Sequence, residues 1–247
     1  MVDIASNLKI ICDKLVAASA KRAPEFQHFQ PKLVAVSKFH PSEAVIKAYE
    51  AGHRHFGENY VNELSEKANN AEILEKCKEI KWHFIGHLQR GNVNRLLKVE
   101  NLYLVETVDS EKIAAALDNA WPKFRKSDAK LKVMVQVNTS REEAKSGCEV
   151  ENASSMVKYV LEKCSNLEFT GLMTIGEYGY DVSQGPNPDF LTLVECKKKV
   201  CEELGLNSKR VDLSMGMSTD FEHAIELGSS LVRVGTAIFG DRPKKSD

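Results

Sequence analysis

The spacing of apolar positions along this chain switches repeatedly between two periods. From Ile4 to Ala18 the apolar residues Ile4, Leu8, Ile11, Leu15 and Ala18 fall three or four apart, which predicts an amphipathic helix. Leu33-Val34-Ala35-Val36 then runs without a polar break and predicts a strand buried on both faces, with Lys38 at its carboxyl end. The same alternation continues. Short apolar runs predict strands over 54–56, 81–86, 102–106, 131–137, 167–173, 210–213 and 231–234. Helical patterns fall between them over 42–51, 60–69, 92–98, 111–124, 150–164 and 189–204, with Ser110 as the expected N-cap of the 111–124 helix. A further helix is expected to open at Thr219, where Glu222 completes a capping-box pattern and Gly228 supplies the stop. The stretch from Gly235 to Gly240 begins a final turn.

Eight strands, each followed by a helix or helical turn, predict an α/β fold with a parallel sheet, and eight units in 247 residues match a (β/α)8 TIM barrel. The alternative, a doubly wound open sheet, favours a glycine-rich fingerprint after the first strand. Lys38-Phe39-His40-Pro41 stands there instead. No composition shift marks a boundary, so residues 1–247 are expected to form a single domain. The one long loop, 176–188, would lie over the barrel mouth, as a lid or as a tolerated insertion.

Composition narrows the function. A net charge of −1 excludes a global attraction to nucleic acid or anionic membrane, and Lys197-Lys198-Lys199 among Glu195, Glu202 and Glu203 reads as a solvated helix face. No stretch approaches the roughly 20 apolar residues of a membrane span. The six cysteines form no C-x-x-C pair and no zinc spacing, so reduced thiols in a cytoplasmic protein are expected. Asp3 and Asp13 speak against a secretory signal and against a mitochondrial or plastid transit peptide, the alternative address.

In a barrel of this kind chemistry gathers at the carboxyl ends of the strands, and phosphate is held after strands seven and eight. Lys38 at the end of the first strand is a candidate amine for attack on an aldehyde, its plain reading being a surface lysine where the core ran out. Ser214-Met215-Gly216-Met217-Ser218-Thr219 after strand seven and Gly235-Thr236 after strand eight offer small residues and hydroxyls to an anion. Taken singly, Ser218 or Thr219 is better read as an N-cap, and Met215 and Met217 as packing or pocket wall. Arg233 alternates with Val232 and Val234, so it points to the same face as Leu231 and Gly235. A buried arginine there needs a carboxylate of the barrel, or a ring nitrogen or anion of a ligand, as its partner. Asn59 could reach a ligand on Lys38 or cap the next helix. His83 and His87 lack metal spacing and are read as structural.

Val34-Ala35-Val36-Ser37-Lys38, Phe56-Gly57-Glu58-Asn59-Tyr60, Trp82 to Gln89, Gly171 to Ile175, Leu213 to Ser218 and Arg233-Val234-Gly235-Thr236 stand in this order. Together they make the chain resemble the pyridoxal phosphate homeostasis protein family, single-domain relatives of alanine racemase, over nearly its whole length. The resemblance implies a fold-type III barrel holding pyridoxal 5′-phosphate as a Schiff base on Lys38. It implies Ser218, Gly235 and Thr236 at the phosphate, Arg233 at the pyridine nitrogen, Asn59 near the ring, and Ser214 and Met217 in the adjoining loop. An arginine against that nitrogen is expected to weaken the ring as an electron sink without abolishing that role, since the racemases this chain resembles also use arginine. The tail Arg242–Asp247 reads as too short and polar to be the second domain that a racemase carries, so none is expected. The expectation is therefore a non-catalytic monomeric carrier that buffers or delivers the cofactor, with recipient apo-enzymes as partners. An active amino-acid racemase is the alternative, and a cofactor-free Schiff-base aldolase a more distant one.

Overall fold

The computed structural model describes residues 2–125, 128–142 and 144–241. The tail 242–247, on which the expectation of a missing second domain rested, lies outside the described residues. Eight parallel strands close a barrel in sequence order: β1 Lys32–Val36, β2 His55–Glu58, β3 Lys81–Phe84, β4 Leu102–Val108, β5 Leu131–Gln136, β6 Leu167–Met173, β7 Asp212–Ser214 and β8 Leu231–Val234. Closure is made by β8 pairing with β1, with Val34 opposite Arg233 and Ala35 opposite Val234. The open-sheet alternative is thereby excluded.

The helices are α1 Ile4–Ala20, α2 Ser42–Glu50, α3 Val61–Ala68, α4 Ala71–Lys76, α5 Val93–Leu97, α6 Glu111–Phe124, α7 Ala153–Lys163, α8 Pro188–Leu204, α9 Phe221–Glu226 and α10 Thr236–Phe239. All five apolar residues of the predicted stripe on α1 are buried, as the 3.6-residue period requires. Two cores result. Val34, Leu104, Met134, Met173 and Leu231 fill the barrel interior, and a much larger apolar layer lies between strands and helices. The valine-rich strands face both, which is why they read as continuous apolar runs.

Boundaries differ from the sequence expectation where local hydrogen bonding competes with pattern. Lys38 stands two residues past β1, because Ser37 already leaves the strand. The helix expected at Thr219 begins at Phe221: Asp220 occupies the N-cap, and its Oδ1 accepts from Met217 N–H at 2.6 Å, which holds 218–219 in a turn. Ser110 occupies the N-cap of α6 without capping it, its hydroxyl lying 3.2 Å from Asp109 Oδ1. Helix α4 has no counterpart in the periodicity. Asn70 nucleates it by accepting from the N–H groups of Glu72 and Ile73. Lys199 pairs with Glu203 at 3.8 Å on the exposed side of α8, as a solvated face would. Among the described residues no helix is long and apolar enough to cross a membrane.

Candidate cofactor site

At the carboxyl ends of the strands lies a cavity of about 510 Å³, within the usual size range of small-molecule sites. Lys38 from the β1 end, Asn59 from the β2 end, Met217, Ser218 and Thr219 after β7, Arg233 on β8, and Gly235 and Thr236 after it all line this one space. Seven of the eight residues expected at the site therefore converge. The eighth, Ser214, is fully buried behind Arg233 and does not line the cavity. Ile175, just past the end of β6, and the exposed Tyr178 of the long loop form one wall of the cavity.

Each side chain is set by its backbone. Asn59 sits where it does because Gly86 has no Cβ: one added there would stand 1.8 Å from the Asn59 carbonyl oxygen. Gly216, at φ +98°, turns the chain out of β7, and a Cβ on it would meet the Ala224 Cβ at 2.5 Å. Its carbonyl accepts Arg233 N–H at 3.0 Å, tying the β7 exit to β8. The Ser218 hydroxyl accepts Gly235 N–H at 3.2 Å, so the two small-residue segments form one rim.

Arg233 is buried and needs partners. Its Nη1 donates to Ser214 Oγ at 2.5 Å and its Nη2 to the Thr174 carbonyl at 2.7 Å. Ser214 in turn donates to Glu106 Oε2 at 2.5 Å, and Glu106 Oε1 lies 2.7 Å from His83 Nδ1. His83 Nε2 is 2.8 Å from His55 Nδ1. The carboxylate partner that a buried arginine calls for exists, one hydroxyl away. Burial pushes the Glu106 carboxyl up, but the hydrogen bonds and charges of His83, Arg233 and Ser214 outweigh it and hold the group below the usual carboxylate range. An ionised Glu106 orders the chain: it accepts from His83 Nδ1–H, which leaves His83 Nε2 to pair with His55 Nδ1.

A second buried cluster supports Lys38 and carried no signal that sequence reasoning used. Lys67 Nζ donates to the Ser37 carbonyl at 2.7 Å, to Glu58 Oε1 at 2.6 Å and to Glu63 Oε1 at 2.7 Å. The Ser37 hydroxyl donates to Glu58 Oε1 at 2.6 Å, and Glu63 Oε1 takes Phe39 N–H at 2.6 Å. Both neighbours of Lys38 are thus clamped, while Phe39 adopts φ +66°, a strained backbone for a non-glycine residue. Burial is the main influence on Glu58 and pushes its carboxyl up to about 7, against the pull of Lys67. The signal available in the sequence was Glu63 and Lys67 four apart on a predicted helix.

The donor set fits a phosphorylated aromatic aldehyde: an amine, hydroxyls and backbone at one rim, and a guanidinium at the floor. Asn59 Oδ1 adds an independent observation, since it is buried with no hydrogen-bond partner and so calls for a donor within the cavity. His83 and His87 serve other contacts. His87 Nδ1 lies 3.0 Å from Ser146 Oγ and 3.4 Å from Asp109 Oδ2. Among the described residues no group of three His, Cys, Asp or Glu converges on a metal position. Met215 is core and Met217 is cavity wall.

Residues 17–243 match the model of the alanine racemase N-terminal domain. The chain is 52% identical to the pyridoxal phosphate homeostasis protein of Bos taurus, over 97% of this chain and 88% of the bovine protein. It is 52% identical to that of Homo sapiens, over 95% and 85% respectively. The structure of PipY from Synechococcus elongatus PCC7942 with PLP bound superposes with a TM-score of 0.78 at 28% identity, covering 96% of this chain and all of that one. An alanine racemase from Corynebacterium glutamicum shares the fold, with a TM-score of 0.61 at 16% identity, over 99% of this chain and 62% of the racemase.

Proposed function

Because the chain belongs to the pyridoxal phosphate homeostasis protein family, built on the alanine racemase N-terminal domain, we propose that it binds pyridoxal 5′-phosphate in the Lys38 cavity and serves its intracellular homeostasis. Lys38 would hold the aldehyde as a Schiff base, and Ser218, Gly235 and Thr236 the phosphate. When bound, the cofactor supplies an aldehyde and an electron-withdrawing ring. The observation that carries this reading is the convergence of Lys38, the Ser218–Gly235 rim and buried Arg233 on one cavity.

Arg233 disfavours turnover without excluding it. A guanidinium can donate but not accept, so against a ring nitrogen it favours the unprotonated form. Its geometry is locked by Ser214 and the Thr174 carbonyl. The homeostasis naming of the relatives points the same way. The racemase alternative rests on fold likeness alone. In this reading the protein buffers the cofactor or passes it to recipient apo-enzymes, acts as a monomer and works in the cytoplasm.

Intact-protein mass before and after borohydride reduction tests the binding. One cofactor should be fixed to the wild type and none to Lys38→Ala, and equal labelling of both, or none of either, overturns the assignment. Steady racemisation of any amino acid that vanishes in Lys38→Ala would overturn the carrier and establish the enzyme.

A further inference from the structure

The opposite, amino-terminal mouth of the barrel has chemistry of its own. A cavity of about 190 Å³ opens there, lined by Lys32, Lys132 and Arg210 together with Glu168 and Asp212. Lys32 opens β1, Lys132 is the second residue of β5, and Lys81, the first residue of β3, joins them: its Nζ stands 5.4 Å from the Tyr103 ring centre, with Lys132 Nζ 4.8 Å from the same ring. Tyr103 lines this cavity and packs against the interior core. Three cations thus line the cavity with two carboxylates, a fourth, Lys81, approaches through the Tyr103 ring, and none of the four is in an ion pair among the described residues. Drawing like charges to one concave space is unfavourable unless something negative fills it.

We propose that this mouth is a second binding site, for a small dianion of the phosphate or phosphate-monoester class. The lining carries one net positive charge and Lys81 beside the Tyr103 ring adds a second, which together match a dianion, and the narrow space admits a compact group and not a polymer. Tyr103 holds two of the ammonium groups by cation–π contact and supplies a hydroxyl. The site is independent of the Lys38 cavity. His55 touches the Tyr103 ring at 5.2 Å between centres and begins the buried chain through His83, Glu106 and Ser214 to Arg233. An anion on these lysines therefore sits at the far end of the hydrogen-bond chain that holds Arg233.

Calorimetric titration of the cofactor-loaded protein with inorganic phosphate, at constant ionic strength, tests the site. Saturable binding at one equivalent is expected, with the His55 ring signals in NMR shifting along the same curve. Lys81→Gln/Lys132→Gln should weaken it by roughly tenfold or more, the scale of lost charge-assisted hydrogen bonds. Ser218→Ala, at the other end of the barrel, should leave it unchanged, which separates this site from a phosphate rim left unfilled. Lys32→Gln, at an exposed side chain, gives a variant whose folding is not at stake, and its affinity should also fall. Glycerol phosphate competing for the site would make the ligand a monoester; failure to compete beside bound phosphate would make it the free ion, and either result keeps the site. Absence of saturable binding in the wild type, or unchanged affinity in the lysine variants, overturns it.

Discussion

Replacing Ser214 by alanine removes one oxygen from the middle of the barrel and disconnects two charges. That oxygen accepts from Arg233 Nη1 and donates to Glu106 Oε2, each at 2.5 Å, and all three residues are buried. Hydrogen bonds to charged groups contribute about 1.5–3 kcal/mol each, so losing both sets an upper range of about 3–6 kcal/mol. Two features lower it. Arg233 keeps its bond to the Thr174 carbonyl, and Glu106 keeps His83. The guanidinium and carboxylate can also relax toward one another across the space left by the hydroxyl. A loss of about 2–4 kcal/mol is expected, which for a chain of this size lowers Tm by about 5–12 °C. Ser229 provides the control. It is equally buried, but its hydroxyl serves only carbonyl oxygens, those of Met215 and Leu231 at 2.7 and 2.8 Å among them. Ser229→Ala should therefore cost about 1 kcal/mol, the value for a neutral bond. Thermal melts followed by circular dichroism compare the two, and absorbance in the cofactor region reports on the site. Ser214→Ala should also weaken cofactor retention, because Arg233 is no longer held at both ends. If the two variants melt within 2 °C of one another, Ser214 does not bridge charges and the interior chain is not continuous.

Gly216→Ala forces a Cβ to 2.5 Å from the Ala224 Cβ at φ +98° and should destabilise by about 2–4 kcal/mol, read from urea melts; wild-type stability would contradict the turn geometry. Lys67→Met strips the shared cation from Glu58, Glu63 and the Ser37 carbonyl, with an expected loss of about 3 kcal/mol and slower borohydride-trapped labelling of Lys38. Adding Glu58→Leu should recover much of the stability but not the labelling rate. Burial lowers His53 to about 4 and His55 to about 3 from 6.5. Depressed values stabilise the fold above the unfolded-state pKa, so the share of stability due to these two histidines should be full above pH 6.5 and fall as pH drops toward 4, opposite in sign to Glu58, whose raised carboxyl favours the fold below pH 7. Tm against pH measures this, His53→Gln should flatten the curve, and a slope unchanged in that variant would refute the assignment.

The chain's order of periods determined much of this protein. Continuous valine-rich runs separated by helical stripes specify eight parallel strands, because a strand buried on both faces cannot alternate. The small residues after β7 and β8 and the lysine after β1 were visible as a site because barrel topology sends those positions to one mouth. Short-range competition was less legible. Asp220 displaced Thr219 as the start of α9 by taking Met217 N–H, and Asn70 nucleated α4 without an apolar stripe to announce it. Long-range polar partners were not legible at all. Ser214 and Glu106 lie 108 residues apart, and Lys67 could be matched to Ser37 only once β1 and α3 were adjacent. Periodicity reports which face of an element is buried. It does not report which polar atom waits across the barrel, and that is decided by closure, which brings β4, β7 and β8 around one interior and leaves each buried charge the partner it finds there.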